Sequence, residues 1–157
     1  MALAKGSNSY ATVDEADLYF ADRLDVAAWT EADAIQKAQS LVTATSVLDD
    51  QVWTGSAVSI TQPLAFPRVG GYLDPMLNAY IGLEGTPSRI TRATYELAHH
   101  LLSNDGLLDD TGSVTNLSVS SINLSTISAP KLIPGNVKRL IKPLLVGGGS
   151  NNWWRAN

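Results

Sequence analysis

The residues best equipped for chemistry are few. The chain has two histidines, His99 and His100, and no cysteine. Disulfides, a thiolate nucleophile and Cys-ligated metal sites are therefore excluded. Glu96 and His99 spell E-x-x-H, a spacing used in metal sites of helical bundles. Such a site needs further Glu and His ligands on facing helices, and the sequence holds no second copy of the motif. Two surface histidines are the simpler reading: a helical wheel puts His99 nearly opposite the apolar stripe and His100 on its flank. No G-x-S-x-G elbow occurs. The glycines at 147–149 lack the Gly-Lys-Ser/Thr that cradles phosphate. The expectation is a chain without catalytic residues, metal or cofactor.

The groups that point to a partner lie near the C-terminus. Gly147-Gly148-Gly149-Ser150 has linker composition, and Trp153, Trp154 and Arg155 follow it. Burying each indole on a partner contributes about 2–3 kcal/mol at ~25 cal/mol per Å², and Trp and Arg are frequent binding hot spots. The tail either docks on another chain or folds back on its own domain. Residues 1–110 carry fifteen acids and six bases, a net −9, whereas 111–157 carry five bases and no acid, a net +5. Lys131, Lys138, Arg139 and Lys142 are thus candidates for an interface or a DNA channel. The asymmetry suggests an anionic partner or complementary faces between copies. The overall acidity, with a pI near 5.0, opposes free binding to a polyanion unless the bases cluster in space.

These groups need a scaffold. A length of 157 residues with 45% hydrophobic content fits one globular domain with a core. No apolar run is long enough to span a bilayer, and the N-terminus lacks the apolar stretch of a secretory signal. Both predict a soluble protein made in a reducing cytoplasm, without a membrane partner.

Thr12 to Glu15 reads as a capping box and predicts a helix over 13–24, with Ala16, Tyr19, Phe20 and Leu24 on one face. Thr30 is a second cap candidate, opening a helix over 31–49 whose stripe runs through Ile35, Ala38, Leu41, Val42, Thr45 and Leu48. No period holds from Val52 to Gly85. Trp53, Leu64, Phe66, Tyr72, Leu77, Tyr80 and Ile81 are expected to pin this stretch, with room for a short helix near 75–82. Ile90, Ala93, Thr94, Leu97, Ala98, Leu101 and Leu102 mark a helix over 87–103, with Pro87 in the first turn. Leu117 and Val119 share one parity and Ile122 and Leu124 the other, predicting a hairpin within 113–129. A last helix spans 136–146, bent or ended early by Pro143.

The predicted fold is mainly α: a small bundle of about four helices with a two-stranded hairpin and extended terminal arms. Residues 1–146 form the domain, and 147–157 the linker and docking tail.

The order Asn8-Ser9-Tyr10, Glu15-Ala16-Asp17-x-Tyr19-Phe20, Trp29, Val52-Trp53-x-Gly55 and Gln62-x-Leu64-x-Phe66-Pro67-Arg68 resembles a family of tailed-phage proteins. Its members are often labelled DnaT-like single-strand DNA-binding proteins, and several behave as head-to-tail adaptors, also called connector or head-completion proteins. The resemblance continues through Pro87, Ile90, Ala93-Thr94-x-Glu96-Leu97-Ala98 and Pro143-Leu144-Leu145, so it covers nearly the whole chain. Phe66 stands where tryptophan is expected, and the tail is unusually rich in aromatics.

What the resemblance implies is a structural virion protein. It would form a ring, typically of twelve copies, below the portal of a filled capsid. There it would contact the portal protein and the tail or stopper proteins, and let genomic DNA pass without sequence reading. Its place would be the virion neck, with the host cytoplasm as the site of assembly. The alternative is a single-stranded DNA-binding accessory protein, in which Trp153, Trp154 and Arg155 stack bases and hold phosphates.

Overall fold

A computed structural model of the chain describes residues 2–104, 108, 116–119, 122–125 and 131–147. Among these, five α-helices combine with three two-stranded antiparallel pairs. The fold is therefore a small mixed one with a helical core, rather than a four-helix bundle carrying one hairpin. No helix among the described residues is long and apolar enough to cross a membrane.

The N-terminal segment is not an extended arm. Backbone turns fold it (Gly6 N to Ser9 O, 2.8 Å; Ser7 N to Ala4 O, 3.0 Å). Its end is then buried, with Tyr10 2% and Ala11 0% exposed. Helix α1 (Val13–Ala21) opens on the expected capping box: Thr12 Oγ1 accepts from Glu15 N, and the Glu15 carboxylate accepts from Thr12 N at 2.9 Å. It stops three residues before the predicted end. The chain then turns through Asp25 in the left-handed region (φ 59°), which leaves Leu24 exposed instead of on the apolar face.

The second predicted helix divides. Thr30 is no cap, because it lies inside α2 (Ala27–Glu31), where its hydroxyl donates to Val26 O and Ala27 O. Asp33 caps α3 (Ala34–Asp49) instead, in a reciprocal pair with Gln36. Leu41, Ala44, Thr45 and Leu48 are buried, but Ile35 is 69% exposed.

The aperiodic stretch becomes two small sheets. β1 (Ser56–Ala57) pairs with β2 (Arg68–Val69). β3 (Gly71–Asp74) and β4 (Ala79–Gly82) form a hairpin in the register Leu73 to Tyr80 and Asp74 to Ala79. This hairpin replaces the helix expected near 75–82. Asp74 Oδ1 accepts from the backbone N–H of Met76 (2.8 Å) and Leu77 (3.3 Å), and Asn78 adopts φ 47°. An Asp side chain that caps its own turn competes with helical hydrogen bonding. Trp53, Leu64, Phe66 and Tyr72 anchor the stretch in the core as expected, but Leu77 and Tyr80 are exposed.

Gly55 holds φ +73°, and a Cβ there would meet Val69 O at 2.3 Å. Arg68 organises the loop around it, donating to the carbonyls of Thr54 (2.8 Å), Gly55 (2.8 Å), Ala65 (3.2 Å) and Trp53 (3.4 Å).

Helix α4 (Ser88–Ser103) follows the predicted stripe, with Pro87 at the cap position. Ile90, Ala93, Thr94, Leu97 and Ala98 are buried against α3 and α5. β5 (Asn116–Val119) and β6 (Ile122–Ser125) pair antiparallel, inside the span read as a hairpin. α5 (Gly135–Ile141) runs into a 3-10 turn at Lys142–Leu144, where Pro143 ends the α-helical pattern. The chain then bridges back, with Thr54 N donating to Leu144 O (2.8 Å) and Val146 N to Val52 O (3.0 Å).

Candidate nucleic-acid interface

Three helices bring guanidinium groups to one open cleft of about 340 Å³. The end of α1 supplies Tyr19 and, just beyond it, Arg23. Arg89, Arg92 and Glu96 stand at i, i+3 and i+7 of α4 and so share one helical face. The first turns of α5 add Asn136, Arg139 and Leu140.

At the back of the cleft lies Glu96, 7% exposed. Its carboxylate accepts from Tyr19 Oη (2.6 Å) and Asn136 Nδ2 (2.9 Å), and pairs with Arg23 Nη1 (2.5 Å). A buried carboxylate is tolerated only when its lone pairs are so occupied. The Tyr19 hydroxyl is held above its ordinary pKa by burial and by the neighbouring Glu96 charge. The Arg23 guanidinium also lies over the Tyr19 ring, 5.0 Å from its centroid.

Arg89 is committed to Asp74. It makes a two-point contact, Nε to Oδ2 at 2.6 Å and Nη2 to Oδ1 at 2.9 Å. The guanidinium keeps the Asp74 carboxyl well below the usual range, against the opposing effect of burial.

Arg92 and Arg139 differ from these two. Both are exposed, and neither forms an ion pair among the described residues. Among the described residues, the four arginines pair with two carboxylates, Glu96 and Asp74, and Arg92 and Arg139 form no ion pair. A planar guanidinium matches phosphate with two parallel N–H donors. A cleft of this kind offers donors of the sort that phosphate groups accept from. The exposed rings that stack bases in many single-strand binders are not supplied by Tyr19, whose ring is packed against Tyr95 (4.8 Å) and Phe20 (5.1 Å).

Of the basic residues singled out in the sequence, Lys131, Lys138, Arg139 and Lys142 are all exposed, and Arg139 alone lines the cleft. Lys131 contributes its carbonyl to His100 Nε2 (2.9 Å). Trp153, Trp154 and Arg155 lie outside the described residues.

Arg23, Arg89 and Arg92 were hidden in the acidic part of the chain. The one sequence signal was R-x-x-R-x-x-x-E over 89–96, with helical spacing. Glu96 turns to Tyr19 and Asn136, not to His99. His99 itself is half-buried rather than opposite the core. Its ring packs on Phe20 (5.6 Å), and burial lowers its pKa.

A model of the family described as "Putative DnaT-like ssDNA binding protein" matches residues 2–156. No curated protein and no solved structure matches the chain.

Proposed function

The chain belongs to that DnaT-like family, and we propose that it binds single-stranded DNA by the phosphate backbone, with the arginine cleft as the gripping surface. The observation that carries this reading is the pair Arg92 and Arg139, exposed beside Arg23 and Arg89 and without an ion pair among the described residues. Lys138 and Lys142, exposed on α5 and the turn after it, add to the same electrostatic footprint. The role is non-catalytic and needs no cofactor, and its contacts are indifferent to sequence. Binding should weaken as salt rises, because each arginine that neutralises a phosphate releases condensed counterions.

The test is fluorescence anisotropy with a labelled oligothymidylate across a salt series. Each phosphate neutralised contributes about −0.7 to the slope of log K against log salt for single strands. Arg92→Ala with Arg139→Ala should weaken binding and flatten that slope by about 1.4, without changing the melting temperature. Absence of binding by the unaltered protein at low salt would eliminate the proposal.

A second reading is the virion head-to-tail adaptor: a ring of this chain, twelve copies by family likeness, held between portal and tail or stopper proteins at the neck, with genomic DNA passing through. It is favoured by the β3–β4 hairpin, whose Leu73, Met76, Leu77 and Tyr80 are 59–73% exposed. Apolar side chains gathered at one protrusion suit a neighbouring copy of the same chain. Mass spectrometry of purified particles decides it. The adaptor must be present in stoichiometric ring numbers, and a DNA-binding accessory protein must be missing.

A further inference from the structure

Away from the cleft, the first half of α3 and the N-terminal segment enclose an open groove of about 590 Å³. Leu3, Ala34, Ile35, Ala38 and Val42 form its apolar lining. Exposure of Ile35 at 69% at a position the apolar stripe marks for burial means that α3 presents an unused hydrophobic edge. We propose that this groove receives Trp153 and Trp154 from a second copy of the chain, with Arg155 meeting the acids at its end.

Three observations select that occupant. The groove volume lies within the range of sites that take a ligand of a few rings, and two adjacent indoles are of that size. Glu31 and Asp33 stand exposed just before Ala34 and form no ion pair among the described residues, so the tail's Arg155 finds an opposite charge there. The third is reach. The described chain leads into the tail from Val146, which is bonded to Val52, three residues beyond the far end of α3. From Ala38 to Asp49 the helix alone covers about 16 Å. Six residues from Gly147 to Trp153 reach at most about 20 Å even when fully extended. A chain's own tail would have to run nearly straight, whereas a neighbour's can start closer. This docking does not depend on the DNA-binding reading.

The lack of native cysteine makes the test direct. One variant carries Ile35→Cys and a second, differently tagged, carries Ala156→Cys. After mixing, a short bis-maleimide should join the two kinds of chain. The product should be lost when Trp153→Ala and Trp154→Ala are added to the second variant, and reduced by Glu31→Lys in the first. A chain carrying both cysteines should give dimers and higher species that decline on dilution. Absence of the mixed product, its persistence without the tryptophans, or a purely intramolecular product at every dilution would overturn the proposal.

Discussion

Asp74 and Arg89 meet edge to edge, two oxygens against two nitrogens at 2.6 and 2.9 Å, and so tie the turn of the β3–β4 hairpin to the first turn of α4. Both side chains are largely buried, at 6% and 13% exposure. Tyr72 Oη adds a donor to Asp74 Oδ2 at 3.1 Å. This contact holds one arginine of the cleft in place and commits its guanidinium to Asp74.

Removing one partner strands the other. Asp74→Ala should destabilise the fold by about 3 kcal/mol, because a buried guanidinium loses its counter-charge and two turn N–H groups lose their acceptor. Urea denaturation followed by circular dichroism measures this, and a loss below about 1 kcal/mol would mean that water replaces the carboxylate.

The same carboxylate predicts the acid limb of stability. Its folded pKa lies below its unfolded value, chiefly through Arg89. Below about pH 4 the unfolded chain therefore takes up a proton that the folded chain refuses. Stability contributed by Asp74 is complete above that pH and falls as the pH drops further. Asp74→Asn should flatten the acid limb of the stability profile, whatever it does to stability at neutral pH.

Arg68 should not tolerate lysine. Its fork spans carbonyls of Trp53, Thr54, Gly55 and Ala65, and a single ammonium cannot reach them all. Arg68→Lys is expected to cost nearly as much as Arg68→Ala, about 2 kcal/mol, and to speed amide hydrogen exchange over residues 53–69.

Two glycines give opposite outcomes. Gly55→Ala places a methyl 2.3 Å from Val69 O at positive φ and should cost at least about 2 kcal/mol. Gly135→Ala, with nothing within 4 Å at the start of α5, should be neutral or stabilise by up to about 1 kcal/mol. Thermal melts of the two variants separate these effects.

Charge at the cleft can also be raised. Glu96→Gln removes the buried negative group behind the arginines. Oligonucleotide affinity should rise several-fold, while stability falls by about 1–3 kcal/mol as Arg23 and one of the Tyr19 or Asn136 donors lose a partner. Unchanged affinity would place the DNA contact elsewhere.

The local parts of this architecture were legible in the residues. The Thr12 box and the α4 stripe each depend on side chains three or four apart, so spacing alone reports them. The α2–α3 boundary was misread because Thr30 and Asp33 are both good caps; only the hydroxyl's use of the Val26 carbonyl settles the choice. The 75–82 turn was misread because its Asp74 signal is short-range but its strand pairing is not. The cleft was invisible as a unit. Arg23, Arg92 and Arg139 come from positions separated by up to 116 residues, and only the packing of α1 and α5 against α4 joins them. Net charge by chain segment pointed away from it, because it does not show which acids lie near the cleft and which are engaged elsewhere, as Asp17 is with Trp29 and Lys37.

The bridge of Leu144 and Val146 to the segment 52–54 has a mechanical consequence. A pull on the C-terminus is resisted first by an antiparallel pair loaded along its length, and not by unwinding of α5. Load therefore passes into the buried Trp53 and the loop that Arg68 braces, so that this segment takes the strain of a pull on the tail.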